Sequence, residues 1–175
     1  VLDIVKQFQD DPVRIEIGQR NEPTKTVKHS FMTAGERQKS GAVKSLIKQG
    51  RPRLALVFCN TRRRVKNLQR QLFEQGLSVC CLHGDMSQPA RTETLAKFKA
   101  GEILILVCSD VAARGLDITE LSHVFNFDVP THSDDYVHRI GRTGRAGRSG
   151  RAYTIATDAE SKYVASIEAL TRKPL

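Results

Sequence analysis

The 175-residue sequence has no tryptophan, and aromatic residues make up only 6% of it. No apolar run approaches the roughly 18–20 residues of a bilayer span, which argues against a membrane-spanning helix. The opening stretch, "VLDIVKQFQDD", lacks the pattern of a signal peptide. There is no initiator methionine, and a piece of a longer chain is expected. No G-x-x-x-x-G-K-[ST] loop occurs, so the chain does not cradle a nucleotide on a P-loop of its own. Nor is there a strand-borne acidic pair suited to hold Mg²⁺ by itself. Asp110 and Asp117 are isolated among arginines and read as hydrogen-bond acceptors. The four cysteines form no Cys-x-x-Cys pair and lack metal-ligand spacing. Cys59, Cys80, Cys81 and Cys108 sit in apolar runs and read as small buried hydrophobes of a reducing cytosol. No metal site is expected.

What is abundant is positive charge. The formal net charge is +9, which favours a polyanion such as nucleic acid as partner. With 39% hydrophobic residues, a chain of this length can bury one substantial core. Apolar runs at 54–59, 78–82, 103–108 and 123–127, with flanking candidates at 27–33 and 151–157, predict strands. Residues 62–75 place Val65, Leu68 and Leu72 on one helical stripe and stop at Gly76. Residues 88–100 place Leu95 and Phe98 together and stop at Gly101. Thr157 and Glu160 form a capping-box pattern before a last helix, with Val164, Ile167 and Leu170 on its apolar side. Strands alternating with helices predict an α/β fold, a mainly parallel sheet of five to seven strands covered on both faces.

In such folds ligands bind beyond the carboxyl ends of the strands. The loops expected there read "NTRRR", "HGDMSQPAR" and "SDVAARGLD", followed by the run "HRIGRTGRAGRSGR" at 138–151. Residues 51–70 alone carry seven Lys or Arg and no acid. In the run, Arg139, Arg142, Arg145, Arg148 and Arg151 recur every third position, and glycines keep the same step. Hydroxyls, glycines and arginines are the groups that hold phosphate oxygens, so phosphate binding is expected at this edge. The chain looks like half of a site.

The set "LVFCNT", "HGDMSQPAR", "SDVAARGLD" and "HRIGRTGRAG", in that order and spacing, resembles the second, C-terminal RecA-like domain of a DEAD-box RNA helicase. The resemblance covers nearly the whole chain, with residues 1–25 resembling an interdomain linker or tail and 26–175 the domain itself. It implies a three-layer α/β/α sandwich. It also implies that the first domain, with its P-loop, lies outside this chain. ATP and Mg²⁺ would be held mainly by that N-terminal lobe.

Residue by residue, the resemblance implies that Arg142 and Arg145 are arginine fingers toward ATP on the other lobe. Gly115 lets backbone approach the nucleotide, and Asp117 accepts from the ribose hydroxyls. His138 and Arg139 match interdomain positions. Thr61, Arg62, Gly84, Gln88, Arg91 and Ser109 match contacts to the RNA sugar–phosphate backbone, which would be salt-dependent and blind to sequence. Ser109 stands where the family often has Thr and keeps the hydroxyl. Arg148 and Arg151 lie past the motif and read as solvent-facing or RNA-proximal. The expectation is one lobe of a cytoplasmic, ATP-dependent RNA helicase, inactive by itself. A free-standing RNA-binding module and a lobe of a DNA helicase of the same superfamily remain alternatives.

Overall fold

The computed structural model describes residues 26–116, 118, 121–145 and 147–172. The linker expected over 1–25, and the ribose acceptor expected at Asp117, lie outside these residues. In chain order the elements are β1 (Val27–Thr33), α1 (Lys39–Gly50), β2 (Ala55–Phe58), α2 (Arg62–Glu74), β3 (Val79–Leu82) and α3 (Gln88–Lys99). There follow β4 (Ile105–Cys108), the short α4 (Asp110–Ala113), β5 (His123–Asn126), α5 (Ser133–Ile140), β6 (Gly150–Ala156) and α6 (Ser161–Thr171). The strands form one six-stranded sheet in the order β1-β6-β5-β2-β4-β3, and every pairing is parallel.

Alternation along each strand sends side chains to two separate cores. On one face Val57, Phe125 and Val107 pack with Val43 and Ile47 of α1 and with Val65, Leu68 and Leu72 of α2. On the other, Leu56, Leu106 and Val124 pack with Phe98 of α3 and with Ala112 and Ala113 of α4. Beside that second core, α5 and α6 bring Tyr136, Ile140, Val164 and Ile167 onto Val27, Ala152 and Ala156. Helices on both faces of a parallel sheet make the three-layer α/β/α sandwich expected.

Vicinal Cys80 and Cys81 part as strand geometry requires, each packing against a different core. All four cysteines are free. Burial pushes the Cys80 and Cys108 thiols up to about 12, far from a reactive thiolate.

The local signals act where the sequence places them, with two adjustments. Gly76 and Gly101 end α2 and α3 with positive φ. Thr157 and Glu160 do form a capping box, but the turn it caps is 3₁₀ (Asp158–Glu160), and the α-helix starts one residue later. On α6 the last buried position is Thr171, while Leu170 is only half-buried.

The glycine step of the arginine run has a packing cause at two places. Gly144 has φ +71°, and a Cβ there would lie 2.6 Å from Cγ2 of Val27. A Cβ on Gly150 would lie 2.5 Å from Oγ1 of Thr143. Glycine lets this loop lie flat against the β1–β6 edge.

Candidate functional site

The carboxyl ends of β2, β4 and β5 converge on one buried guanidinium. Arg139, on α5, is 2% exposed. Its Nε and Nη2 donate to the two carboxylate oxygens of Asp110, each at 2.7 Å. Nη2 also donates to Oδ1 of Asn60 at 2.7 Å, and Nη1 to the Asp128 carbonyl at 2.7 Å and to Oδ1 of Asn126 at 3.5 Å. The plane lies 5.2 Å from the Phe58 ring centroid. Every N–H of the fork thus has an acceptor, which is the condition under which a buried guanidinium can be tolerated.

A second layer extends the lattice. The Asp128 carboxylate, itself buried, accepts from the Asn60 backbone N–H at 3.0 Å and from Nε of Arg64 at 2.8 Å. Burial works against the Arg64 charge, but hydrogen bonds to Glu36 and Asp128 outweigh it and hold its pKa above the ordinary value. Lys39, fully buried, donates to Glu160 at 2.7 Å, and Glu160 accepts as well from the Val129 and Thr157 backbones. This lattice was not legible as a site in the sequence. Its signal was the polar residues inside apolar runs, Asn60 in "LVFCNT" and Asn126 and Asp128 in "FNFDV".

Above Arg139 opens a cleft of about 200 Å³, lined among others by Asp110, Arg114, Asp135, His138, Arg139 and Arg142. The His138 side chain is 70% exposed, with Nδ1 4.0 Å from Asp135. Arg142 is half-buried, and its Nη1 reaches the Leu116 carbonyl at 3.4 Å. Burial, followed by repulsion from Arg145, lowers the Arg142 pKa. Arg145 is exposed and folds back through Nε onto the Gly141 carbonyl at 2.8 Å. Neither has a carboxylate partner among the described residues. Gly115 takes φ +73°, and nothing lies within 4 Å of where its Cβ would be.

The arginine run is therefore no uniform comb. Its first residues belong to α5, which carries Arg139 at the carboxyl edge of the sheet. From there the run descends toward the amino edge, where Gly150 and Arg151 begin β6. Arg148 and Arg151 are exposed near that opposite edge.

The six residues expected at RNA lie in the loops after β2, β3 and β4, or in the first turns of the helices that follow, and these strands are neighbours in the sheet. Thr61 caps α2, its Oγ1 accepting from the Arg64 N–H at 3.3 Å. Arg62 pairs with Asp85, and Lys66 joins the same carboxylate at 3.1 Å. Gly84 precedes that acid, and a Cβ there would meet only Cδ of Arg62, at 4.0 Å. Gln88 is exposed as the first residue of α3; Arg91, one turn on, reaches the Ala112 carbonyl at 3.5 Å. Ser109 is the N-cap residue of α4 and is buried, with no side-chain cap bond. Thr61, Arg62, Arg63, Lys66 and Asp85 line an open basin of about 650 Å³. Sequence reasoning missed Lys66 and Asp85, whose place here depends on α2 packing beside the β3 loop. Phe73 is exposed at the far end of α2, and no exposed aromatic row flanks the basin among the described residues.

Among the described residues no group of three or more His, Cys, Asp or Glu is placed to hold a metal ion. No helix among them is long and apolar enough to cross a membrane.

Residues 38–147 match the family model described as the helicase conserved C-terminal domain, so the fold and its cationic edge define a helicase domain. The chain is 43% identical over 166 residues to the ATP-dependent RNA helicase CshA of Limosilactobacillus reuteri, covering 95% of this chain and 33% of that protein. It is 40% identical to CshA of Bacillus subtilis over 172 residues, 98% of this chain and 35% of the relative. Among solved structures, the E. coli DEAD-box protein SrmB, bound to the regulator of ribonuclease activity A, superposes with TM-score 0.80 at 34% identity, covering 90% of each chain. Dbp5 of S. cerevisiae bound to RNA and ADP BeF3 superposes with TM-score 0.87 at 26% identity, over 97% of this chain and 46% of Dbp5. The chain belongs to the DEAD-box helicase family and is its C-terminal RecA-like domain. It spans about a third of the length of the curated relatives it matches.

Proposed function

We propose that this domain is the C-terminal lobe of an ATP-dependent RNA helicase and completes an ATP site whose other half lies on an N-terminal lobe. The observation that carries the reading is the pair Arg142 and Arg145: Arg142 lines the cleft, Arg145 is near enough for its charge to oppose that of Arg142, and neither has a carboxylate partner among the described residues. Such a pair gains most from an anion brought to it.

ATP supplies the phosphoryl group whose hydrolysis drives the cycle. When the lobes close, Arg142 and Arg145 place two guanidinium groups where negative charge builds on that phosphoryl group. Gly115 keeps the chain free of a side chain where the nucleotide approaches, and Asp117 serves the ribose hydroxyls. Exposed His138 meets the facing lobe directly. Buried Arg139 serves closure by positioning: it fixes Asp110, Asn60 and the α5 backbone that form the cleft wall. Mg²⁺ is not assigned to this chain, whose described residues offer no ligand cluster for it, and no step here depends on it.

At the neighbouring edge Thr61, Arg62, Gly84, Gln88, Arg91 and Ser109 hold the sugar–phosphate backbone of one RNA strand. Phosphate contacts position a strand without reading its sequence. Free cysteines with no disulfide suit a reducing compartment, and the cytoplasm is the location proposed.

The test is ATP hydrolysis by the whole protein that carries this domain, with and without RNA or DNA. Turnover should rise with RNA, fall by about 10²-fold or more in Arg142→Ala, and be absent from the 175-residue chain alone. Stimulation by DNA but not RNA, or hydrolysis by the chain alone that survives Arg142→Ala, would contradict the reading.

A further inference from the structure

The RNA basin already contains an anion. Asp85, in the loop after β3, takes a contact from Nη1 of Arg62 and another from Nζ of Lys66 at 3.1 Å. Nδ1 of His83 lies 4.0 Å from the same carboxylate. Arg62 and Lys66 sit four residues apart on α2 and so share one helix face, which turns both toward the loop. The Asp85 side chain is 43% exposed and those of Arg62 and Lys66 are 64% and 52% exposed, so the cluster opens to solvent rather than supporting a core. The Lys66 and Arg62 contacts hold the Asp85 carboxyl below the usual carboxylate range, so it carries its charge at neutral pH.

A carboxylate with two oxygens facing an arginine and a lysine resembles a phosphodiester with its two free oxygens in both charge and spacing. We propose that Asp85 is an internal stand-in for an RNA backbone phosphate, and that Lys66 joins Arg62 as a phosphate-binding residue once that carboxylate is displaced. The inference rests on the reading of Arg62 as an RNA contact and adds a competitor to it. RNA must break the Asp85 contacts and then sit beside the freed negative charge. The domain thereby keeps strand affinity low enough for release after each cycle. Exposed ion pairs are individually weak, so the competition tunes affinity without blocking the site.

The test is binding of a fluorescein-labelled oligouridine by the whole protein across a series of salt concentrations. Asp85→Asn should tighten binding about three- to ten-fold, because two exposed ion pairs and one like-charge contact no longer oppose the phosphate. It should also steepen the salt dependence by up to roughly one unit, since a freed Asp85 no longer takes up a cation when RNA binds. Lys66→Gln should weaken binding and shrink the gain from Asp85→Asn. Glu102→Gln, the same charge change just before β4 at the opposite end of the sheet, should leave both quantities unchanged. Asp85→Ala guards against an effect peculiar to asparagine and should behave as Asp85→Asn.

If Arg62→Ala weakens binding but the Asp85 variants bind no tighter than the wild type, or Glu102→Gln tightens binding equally, the stand-in is overturned while the RNA edge survives. If Arg62→Ala also leaves binding unchanged, the RNA edge itself is wrong and the inference falls with it.

Discussion

Arg139 and Asp110 meet side-on, Nε to Oδ1 and Nη2 to Oδ2, each at 2.7 Å. The pairing ties α5 to the first residue of α4 and so fixes the two walls of the cleft against each other. The same guanidinium reaches Asn60, after β2, and the Asp128 carbonyl, after β5. One side chain thus sets the spacing of three loops, and Arg142, three residues on, inherits its position from it.

Arg139→Lys keeps the charge and loses the fork, and one buried ammonium cannot reach the acceptors on Asp110, Asn60, Asn126 and the Asp128 carbonyl together. Breaking a buried charged network typically costs about 3–5 kcal/mol, and a loss of at least about 2 kcal/mol is expected here. Urea unfolding of the 175-residue chain measures it. Arg63→Lys, exposed on α2, should stay within about 0.5 kcal/mol of the wild type.

Acid should weaken the fold through His123 and His83. Ser122 Oγ accepts from the Arg53 N–H and donates to the Leu54 carbonyl, so Nδ1 of His123 must donate to it. Nε2 of His123 is then a bare acceptor, buried without a partner against Gly50. Burial, then the Arg151 charge, lowers the His123 pKa; burial, then the Lys66 charge, lowers that of His83. A lowered histidine pKa means the unfolded chain binds more protons, so stability rises with pH through this window. It is fully present above the ordinary histidine value near ~6.5 and lost as pH falls toward the folded-state values. The urea midpoint should drop between neutral and mildly acidic pH, and drop less in a His83→Gln, His123→Gln double variant when each is compared with its own neutral midpoint.

On the edge proposed to hold RNA, Arg91→Ala in the whole protein should weaken single-stranded RNA binding about equally for unrelated sequences. The salt slope should shrink by roughly one unit. A changed sequence preference with an untouched salt slope would contradict backbone recognition.

The sequence made the sheet readable because β2 and β4 are continuous apolar runs buried on both faces, β3 and β5 sit in shorter ones, and α2 and α3 carry apolar stripes closed by glycine. Besides the short α4, which falls in a stretch expected as a loop, two helices escaped for one shared reason. The buried face of α1 is Lys39, Val43 and Ile47, and that of α5 is Tyr136, Arg139 and Ile140. In each a cation occupies a position that periodicity expects to be apolar, and only the carboxylates brought from elsewhere make it bearable. The same long-range pairing hid Asp128, the Lys39–Glu160 pair and the Asp85 cluster, since partners 19 to 121 residues apart leave no local spacing. The motif residues around the cleft were legible by resemblance. What the structure adds is that the evenly spaced arginines have unequal environments, from buried Arg139 through half-buried Arg142 to exposed Arg145 and Arg151.

That inequality leads to the most direct test of the account, the turnover number for RNA-stimulated ATP hydrolysis in Arg145→Lys and Arg151→Lys of the whole protein. Lysine keeps the charge but cannot grip two phosphate oxygens with a planar fork. Arg145→Lys should lower kcat by at least ~10²-fold with little change in ATP affinity, the mark of an interaction made in the transition state. Arg151→Lys, at the start of β6, should change kcat by less than about two-fold. Equal losses at both positions would mean a diffuse cationic patch, and weakened ATP binding with normal kcat at Arg145 would mean a ground-state clamp; either result contradicts the arginine-finger account.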